Sequence, residues 1–337
     1  MGMTSFSTKL KKEWFLLGML LAIGLATVSA ELGRSDGPLQ LDTVCSFGVA
    51  VVFFLHGLGL SPSALKSGLS NWRLHLYIQS ATFIAYPLLW LIFGDVLLRF
   101  MPAALAFGFC YLLVLPSTIS SSVAMTSVGK GNVPGAIFNA SLSSIIGVFI
   151  TPFLVQLFMG LEGVELNLLD SVLSISKLLL LPMVVGQVLR PYLLAWVERN
   201  KQVVNKVDKL VIILIVYNAF CDSIINGIWS RFSSSLLLSS LLLCLVVLFF
   251  MVHLIQWGAR KVSFSRPDEI AAVFCGSKKT LAAGVPMAKV IFAADPALGM
   301  ILLPIMLYHP IQIFYCALLA NRYAAEASFT PEQQRQA

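Results

Sequence analysis

The sequence predicts an all-α membrane protein of ten transmembrane helices, arranged as two inverted five-helix repeats with helices 4 and 9 broken. Three observations carry that expectation. The 337 residues are 58% hydrophobic and only 12% charged, with a mean hydropathy of +0.87, whereas a soluble globular domain carries about 25% charged residues. The charges sit in short clusters between long apolar runs. Two of those runs, at matching places in the two halves of the chain, are interrupted by proline and polar residues.

A helix crossing the hydrocarbon core needs about 20 largely apolar residues. Ten segments meet that requirement: Trp14–Ala30, Thr43–Leu60, Leu74–Leu98, Met101–Gly129, Val133–Phe158, Ser171–Trp196, Val207–Ile225, Ser234–Trp257, Asp268–Ala293 and Pro296–Asn321. They imply one ten-helix domain over residues 14–322, with repeats of about 14–160 and 170–322. Residues 1–13 and 323–337 are expected as short cytoplasmic tails. No polar stretch is long enough to fold as a separate domain. Lys9, Lys11 and Lys12 before an apolar run ending Val28-Ser29-Ala30 also resemble a cleaved leader, but the charge pattern favours retention as the first helix.

Orientation follows from lysine and arginine, which concentrate in cytoplasmic loops. With the N-terminus inside, sixteen fall in inside segments, among them Lys66, Arg73, Lys130, Arg199, Arg260, Arg266 and Arg322. Four fall on the outer side, Arg34, Arg99, Arg231 and Lys289, the last near the outer end of its span, and three lie deeper within spans, Lys177, Lys278 and Lys279. Both termini are then cytoplasmic, in a cell (inner or plasma) membrane. The net charge of +7 reflects this topology; basic residues scattered over many loops are no nucleic-acid footprint. No nucleic acid and no obligate protein partner is expected. Six cysteines without a C-x-x-C pair read as small apolar packing residues, and the four histidines lie on four different segments, so no metal is expected beyond sodium.

Five spans per half is an odd number, so the two halves run in opposite directions through the bilayer. Interrupted segments in corresponding positions of two halves point to a transporter binding site. Breaking a helix in lipid frees N–H and C=O groups that cost several kcal/mol each unless satisfied. Such breaks persist where they line a wet or liganded cavity. The first break reads Pro116-Ser-Thr-Ile-Ser-Ser-Ser122. The second reads Gly276-Ser-Lys-Lys-Thr280, followed by Gly284 and Pro286.

The hydroxyls of Ser117, Thr118, Ser120, Ser121 and Ser122 suit a hard cation such as Na⁺. Asn139 and Ser143, four apart on one face of the next helix, are positioned to join them, with Ser141 and Ser144 nearby. Interhelical hydrogen bonding is the competing role for these groups. Ser277, Lys278, Lys279 and Thr280 form the second group, as a substrate-binding or ion-surrogate site. An ionised lysine in the bilayer costs at least about 2.5–3.5 kcal/mol, so two adjacent ones need a purpose: an anionic substrate, or a fixed cation in the cavity. The competing reading has one lysine snorkelling to the cytoplasmic surface. On a helix adjacent residues point about 100° apart, so one of the two is expected to face the cavity. Gln79, His56 and His309 are weaker candidates. No carboxylate lies at a clear midplane position; Asp222 and Asp42 fall near span ends.

At these residues the chain resembles the bile acid:sodium symporter (SBF-like) family, and is most similar to a divergent branch of it. The resemblance rests on Leu115-Pro-Ser-Thr-Ile-Ser-Ser-Ser-Val123, Gly131-Asn-Val133, Ile137-Phe-Asn-Ala-Ser141, Thr151-Pro152, Phe274-Cys-Gly-Ser-Lys-Lys-Thr-Leu281, Gly284-Val-Pro-Met287 and Tyr308-His-Pro-Ile-Gln312. It implies a core domain with two crossing broken helices, a panel domain beside it, and alternating access. It also implies a first sodium site near Ser120–Ser122, Asn139 and Ser143, although Val123 stands where that motif has Asn. A second sodium site in the family uses a Glu-x-Gly-x-Gln-Asn segment. Here Phe274 replaces the Glu, Lys278 the Gln and Lys279 the Asn. Two like unit charges 4 Å apart repel by about 4 kcal/mol at an effective ε near 20, so a lysine ammonium is expected to substitute for the second ion.

The expected function is therefore secondary, symporter-like transport of a small organic anion by alternating access, with sodium coupling partial or lost. The alternative is a non-transporting sensor or ion-homeostasis protein with a vestigial site. An enzyme is not expected, since G-x-S-x-G and H-E-x-x-H elements are missing. No P-loop sequence occurs either, so no cofactor other than Na⁺ is expected.

Overall fold

The computed structural model describes residues 14–59, 62, 70–160, 168–225, 227, 233–292, 295 and 297–327. Both tails as far as residues 13 and 328, the segment around Lys66, Arg231, and the loop with Glu162 and Glu165 lie outside the described residues. All regular structure among the described residues is helical: α1 (Trp14–Gly33), α2 (Leu41–Gly59), α3 (Trp72–Ser80), α4 (Tyr86–Phe100), α5 (Ala103–Val114), α6 (Ser120–Val128), α7 (Val133–Gly160), α8 (Leu168–Ile175), α9 (Leu181–Arg199), α10 (Lys201–Ile225), α11 (Ser234–Lys261), α12 (Arg266–Gly276), α13 (Leu281–Ile291) and α14 (Leu298–Glu326). Single π-helical turns, Ala81–Ala85 and Ser176–Leu180, join α3 to α4 and α8 to α9.

Among the described residues, six helical rods are long and apolar enough to cross a membrane: Leu41–Gly59, Trp72–Phe100, Val133–Met159, Val172–Arg199, Ser234–Lys261 and Leu298–Glu326. Their outward faces are apolar. On α11, Leu238, Leu242, Val246 and Phe249 recur at one helical face and are all exposed, which suits lipid and would be a liability in water. The last helix continues to Glu326, past the expected tail boundary at residue 322, with an Arg322–Glu326 pair one turn apart (3.0 Å) in its final turn.

The chain divides into two compact units. The first comprises Met1–Gly59, Leu169–Ser233 and Ala282–Leu302. Within it α2 packs on α9 through glycine. A Cβ on Gly57 would collide with the carbonyl of Met183, and one on Gly186 with that of Phe54. Close backbone approach through small residues is how helices associate where lipid removes the hydrophobic drive. One end of this unit is polar. Ser35 donates its N–H (2.7 Å) and hydroxyl (2.6 Å) to Asp222, Asn218 donates to the Gly33 carbonyl (2.9 Å), and Lys289 on α13 contacts Asn218 and Asp42.

The second unit comprises Leu60–Leu168, Ser234–Leu281 and Leu303–Ala337. It holds α3–α7, α11, α12 and most of α14, together with both helix breaks. At one end of it the buried carboxylate of Glu269 bonds Arg260 Nε (3.0 Å) and Arg266 Nη1 (2.7 Å). Asp268 accepts from Asn71 and Asn132 (3.1 and 2.6 Å).

Candidate functional site

Leu115 precedes proline, and the clash with the ring pushes it out of the helical region. Its backbone is extended (φ −67°, ψ 149°), α5 ends at Val114, and the chain re-enters helix at Ser120. Five successive carbonyls at the break, from Leu112 to Pro116, each have a partner. Pro116 has no N–H, so Leu112 O takes the Leu115 N–H at 3.4 Å. The Ser117 N–H goes to Ser143 Oγ (2.9 Å) rather than back to Leu113. Val114 O receives the Thr151 hydroxyl (2.9 Å), and Pro116 O receives the backbone N–H of Thr280 (3.0 Å). Leu113 O and Leu115 O receive Lys279 Nζ, at 2.9 and 2.8 Å. Gly147 on α7 gives the break its room, since a Cβ there would lie 2.6 Å from Pro116 Cγ.

A third carbonyl completes the set around Lys279 Nζ. Thr82 O lies 3.1 Å away. Its α-helical donor, the Tyr86 N–H, bonds Ala81 O instead because of the π turn. The next candidate donor is Pro87, which has no N–H. One π turn and one proline thus leave a carbonyl free in the middle of a long helix. The ammonium also lies 4.1 Å from the centroid of the Tyr86 ring. Three N–H donors meet three carbonyls and one aromatic face. Two of those carbonyls belong to the last turn of α5 and its extension, the negative end of that helix, where a cation is favoured.

The second break is held by the first. Ser117 Oγ donates to Cys275 O (2.5 Å) and Ser122 Oγ to Phe274 O (3.0 Å), so hydroxyls of one break cap the C-terminal carbonyls of α12. Ser277 O accepts from the hydroxyls of Tyr86 (2.6 Å) and Tyr308 (3.0 Å). Gln312 on α14 replaces the missing helix neighbours of Lys279. Its Oε1 accepts the Lys279 N–H (2.9 Å) and its Nε2 donates to Lys279 O (2.8 Å). His309 Nδ1 lies 3.1 Å from the same amide nitrogen.

Both lysines are fully buried (0% exposed), which corrects the snorkelling alternative. The expectation that one of them faces away assumed helical geometry. Residues 277–280 are not helical, so both side chains turn into the unit. Their partners differ. Lys278 Nζ has a single hydrogen-bond acceptor among the described residues, Ser121 O at 2.9 Å, and lies 5.9 Å from the Phe274 ring centroid.

The other candidates fall in three places. Ser143 is tied to the first break through Ser117. The Ser121 and Ser122 hydroxyls pair with Thr118 Oγ1 (2.8 and 2.7 Å), while Ser120 is exposed. Asn139 lies in a separate polar group, donating to Gly135 O (2.9 Å) and contacting His75 Nδ1 (2.9 Å). Gln79 Nε2 donates to that asparagine's O and Oδ1 (both 3.2 Å), and its own Oε1 is buried without a partner among the described residues. Ser141 and Ser144 donate back to Ile137 O and Ala140 O on their own helix. His56 lies in the first unit, edge-on to Phe53. Thr82, Tyr86, Tyr308 and Gln312 were not picked out from the sequence as site residues. The Tyr308–Gln312 motif is the trace of them in the sequence.

Residues 13–325 match the SBF-like CPA transporter family. The chain belongs to that family. An uncharacterized protein of Pseudomonas aeruginosa is 44% identical over 92% of both chains. YfeH of Escherichia coli strain K12 is 39% identical over 89% of this chain and 90% of its own. The rat sodium/bile acid cotransporter 7 is 34% identical over 92% of both. This family is one of transporters, not enzymes. With the apolar helices, membership makes the chain an integral membrane transport protein.

Proposed function

We propose that this protein is a secondary transporter of a small organic anion, working by alternating access, in which the Lys279 ammonium occupies the place of a coupled cation. The observation that carries the reading is the Lys279 Nζ cage of Thr82 O, Leu113 O and Leu115 O, at 2.8–3.1 Å. Carbonyl oxygens at the ends of broken helices are cation ligands in transporters. Here they are occupied by a cation the chain itself supplies. A Na⁺ entering the same cage meets a like charge, so sodium coupling is partial, through the Ser120–Ser122 and Ser143 region, or lost.

The ten-helix inverted repeat fits the division of the chain. Each half gives its first helices (α1 and α2; α8–α10) to the first unit and most of the rest to the second, with α13 the exception. We take the second unit as the core and the first as the panel. The name of the rat relative makes bile acids the first substrates to try.

The test is uptake into proteoliposomes of cholate and of a panel of small carboxylates, with Na⁺ or choline outside. Saturable uptake is expected, either persisting in choline or rising with a single Na⁺ per substrate. Uptake that needs two Na⁺ per substrate contradicts the tethered-cation reading, and ligand binding without uptake favours the sensor alternative.

A further inference from the structure

We propose that Lys289 is a latch: it fastens the segment Ala282–Leu302 to α2 and α10, and its release lets that segment move during transport. The inference rests on the transporter reading above and adds the contact that holds one state of the cycle.

The segment Ala282–Leu302 carries nearly all of α13 and the first residues of α14. It belongs to the first unit, whereas the chain on either side of it belongs to the second. At both of its ends helical hydrogen bonding is interrupted. Residues 277–280, just before it, are not helical. Pro304, just after it, lies inside α14 and has no N–H to give the Met300 carbonyl. Prolines and broken turns are where helices bend, and a hinge consists of a few residues that absorb a change in backbone angles. The segment is therefore bounded by two points at which the backbone can bend.

Between those points, Lys289 on α13 reaches two other elements. Its Nζ pairs with Asp42 in the first turn of α2 (3.2 Å) and bonds the side-chain oxygen of Asn218 on α10. Asn218 is fully buried and donates to Gly33 O (2.9 Å), which fixes it independently of α13. The lysine side chain is 15% exposed and that of Asp42 59%. Such a contact is directional, yet separable. On release the carboxylate hydrates at little cost, and Asn218 keeps its bond to Gly33. At its other end the segment meets α10 through Gly299, where a Cβ would collide with Ser223 Oγ. A glycine contact interlocks no side chain and does not oppose sliding. One polar fastening and one smooth contact, set between two bending points, make a part that is held and can be let go. Lys289 is among the basic residues expected on the outer side, so the latch is an outer one, closed in the arrangement described here.

The first measurement is amide hydrogen exchange of the purified full-length protein in detergent, for wild type, Lys289→Met and Asp42→Asn. Exchange within 282–302 is expected to be about tenfold faster in Lys289→Met, the effect of losing a charge-assisted contact on local opening, and to rise less in Asp42→Asn. Exchange in α11 and α12 should be unchanged. If Lys289→Met does not fold, Asp42→Asn carries the comparison. Unchanged exchange in the segment overturns the latch, as does an equal rise in α11 and α12, which would mean a general loss of stability. The second measurement closes the latch covalently. Asp42→Cys with Lys289→Cys is joined by a short, reducible bifunctional thiol reagent; the six native cysteines are buried. Uptake of the carboxylate panel into proteoliposomes is expected to be lost on linking and to return on reduction. Linked protein that transports at the unlinked rate overturns the proposal. Should wild type transport none of the panel, the transporter reading fails, while exchange still decides whether Lys289 holds the segment.

Discussion

Gln312 holds both backbone faces of Lys279, accepting its N–H at 2.9 Å and donating to its carbonyl at 2.8 Å. A single primary amide thereby does for a broken helix what the preceding and following turns do in an intact one. It also fixes the residue whose side chain plugs the opposite break. Neither break is self-sufficient: each supplies the donors the other lacks.

Gln312→Leu is accordingly expected to leave two buried backbone groups without partners, at about 1–3 kcal/mol each. The unfolding midpoint in detergent should fall clearly. Gln156→Leu is the matched control, because Gln156 Oε1 is already buried without a partner among the described residues. It should be nearly neutral. Equal effects would mean that the Gln312 bonds contribute nothing specific.

Two lysines invite the same substitution with different expectations. Lys279→Met strips donors from three buried carbonyls and should cost about 3 kcal/mol or more, or prevent folding. Lys289→Met removes a cation from Asp42, whose side chain is 59% exposed, and the carboxylate can hydrate. Lys289 also contacts the buried Asn218 Oδ1, so the cost there should be about 1–2 kcal/mol, below that of Lys279→Met. Chemical denaturation of the two variants side by side checks the contrast.

Gly147→Ala places a methyl against the Pro116 ring, where the contact would be 2.6 Å. Overpacking of this kind costs about 1–3 kcal/mol, and here it acts on the break itself. Uptake in proteoliposomes should fall even if the protein remains folded. An alanine variant with wild-type stability and uptake would show that the break tolerates displacement.

Much of this was legible in the sequence, and the rest was hidden for identifiable reasons. Pro116 among hydroxyls and the Gly276–Thr280 polar run marked both breaks, because a proline removes one donor and forces its predecessor out of helix. The partners of Lys279 were hidden. A π turn at Ala81–Ala85 is a one-residue change of hydrogen-bond register inside an uninterrupted apolar run, and composition does not record register. Gln312 looked like one polar residue in a long helix, two positions after Pro310. The serines were legible as a cluster but not in their use. Ser117 and Ser122 spend their hydroxyl protons on the carbonyls of α12 because that helix end needs donors, which only the contact between the breaks reveals.

If Lys279 fills a cation's place, removing its side chain should open that place to sodium. The unfolding midpoint of Lys279→Ala, with Lys279→Ser as a second variant, should be measured in matched NaCl and KCl alongside wild type. A sodium-specific rise larger in the variants than in wild type is the expected result, with the ion restoring partners to Thr82 O, Leu113 O and Leu115 O. Sodium stabilising wild type as much as the variants, or giving the folded variants no advantage over potassium, would contradict it.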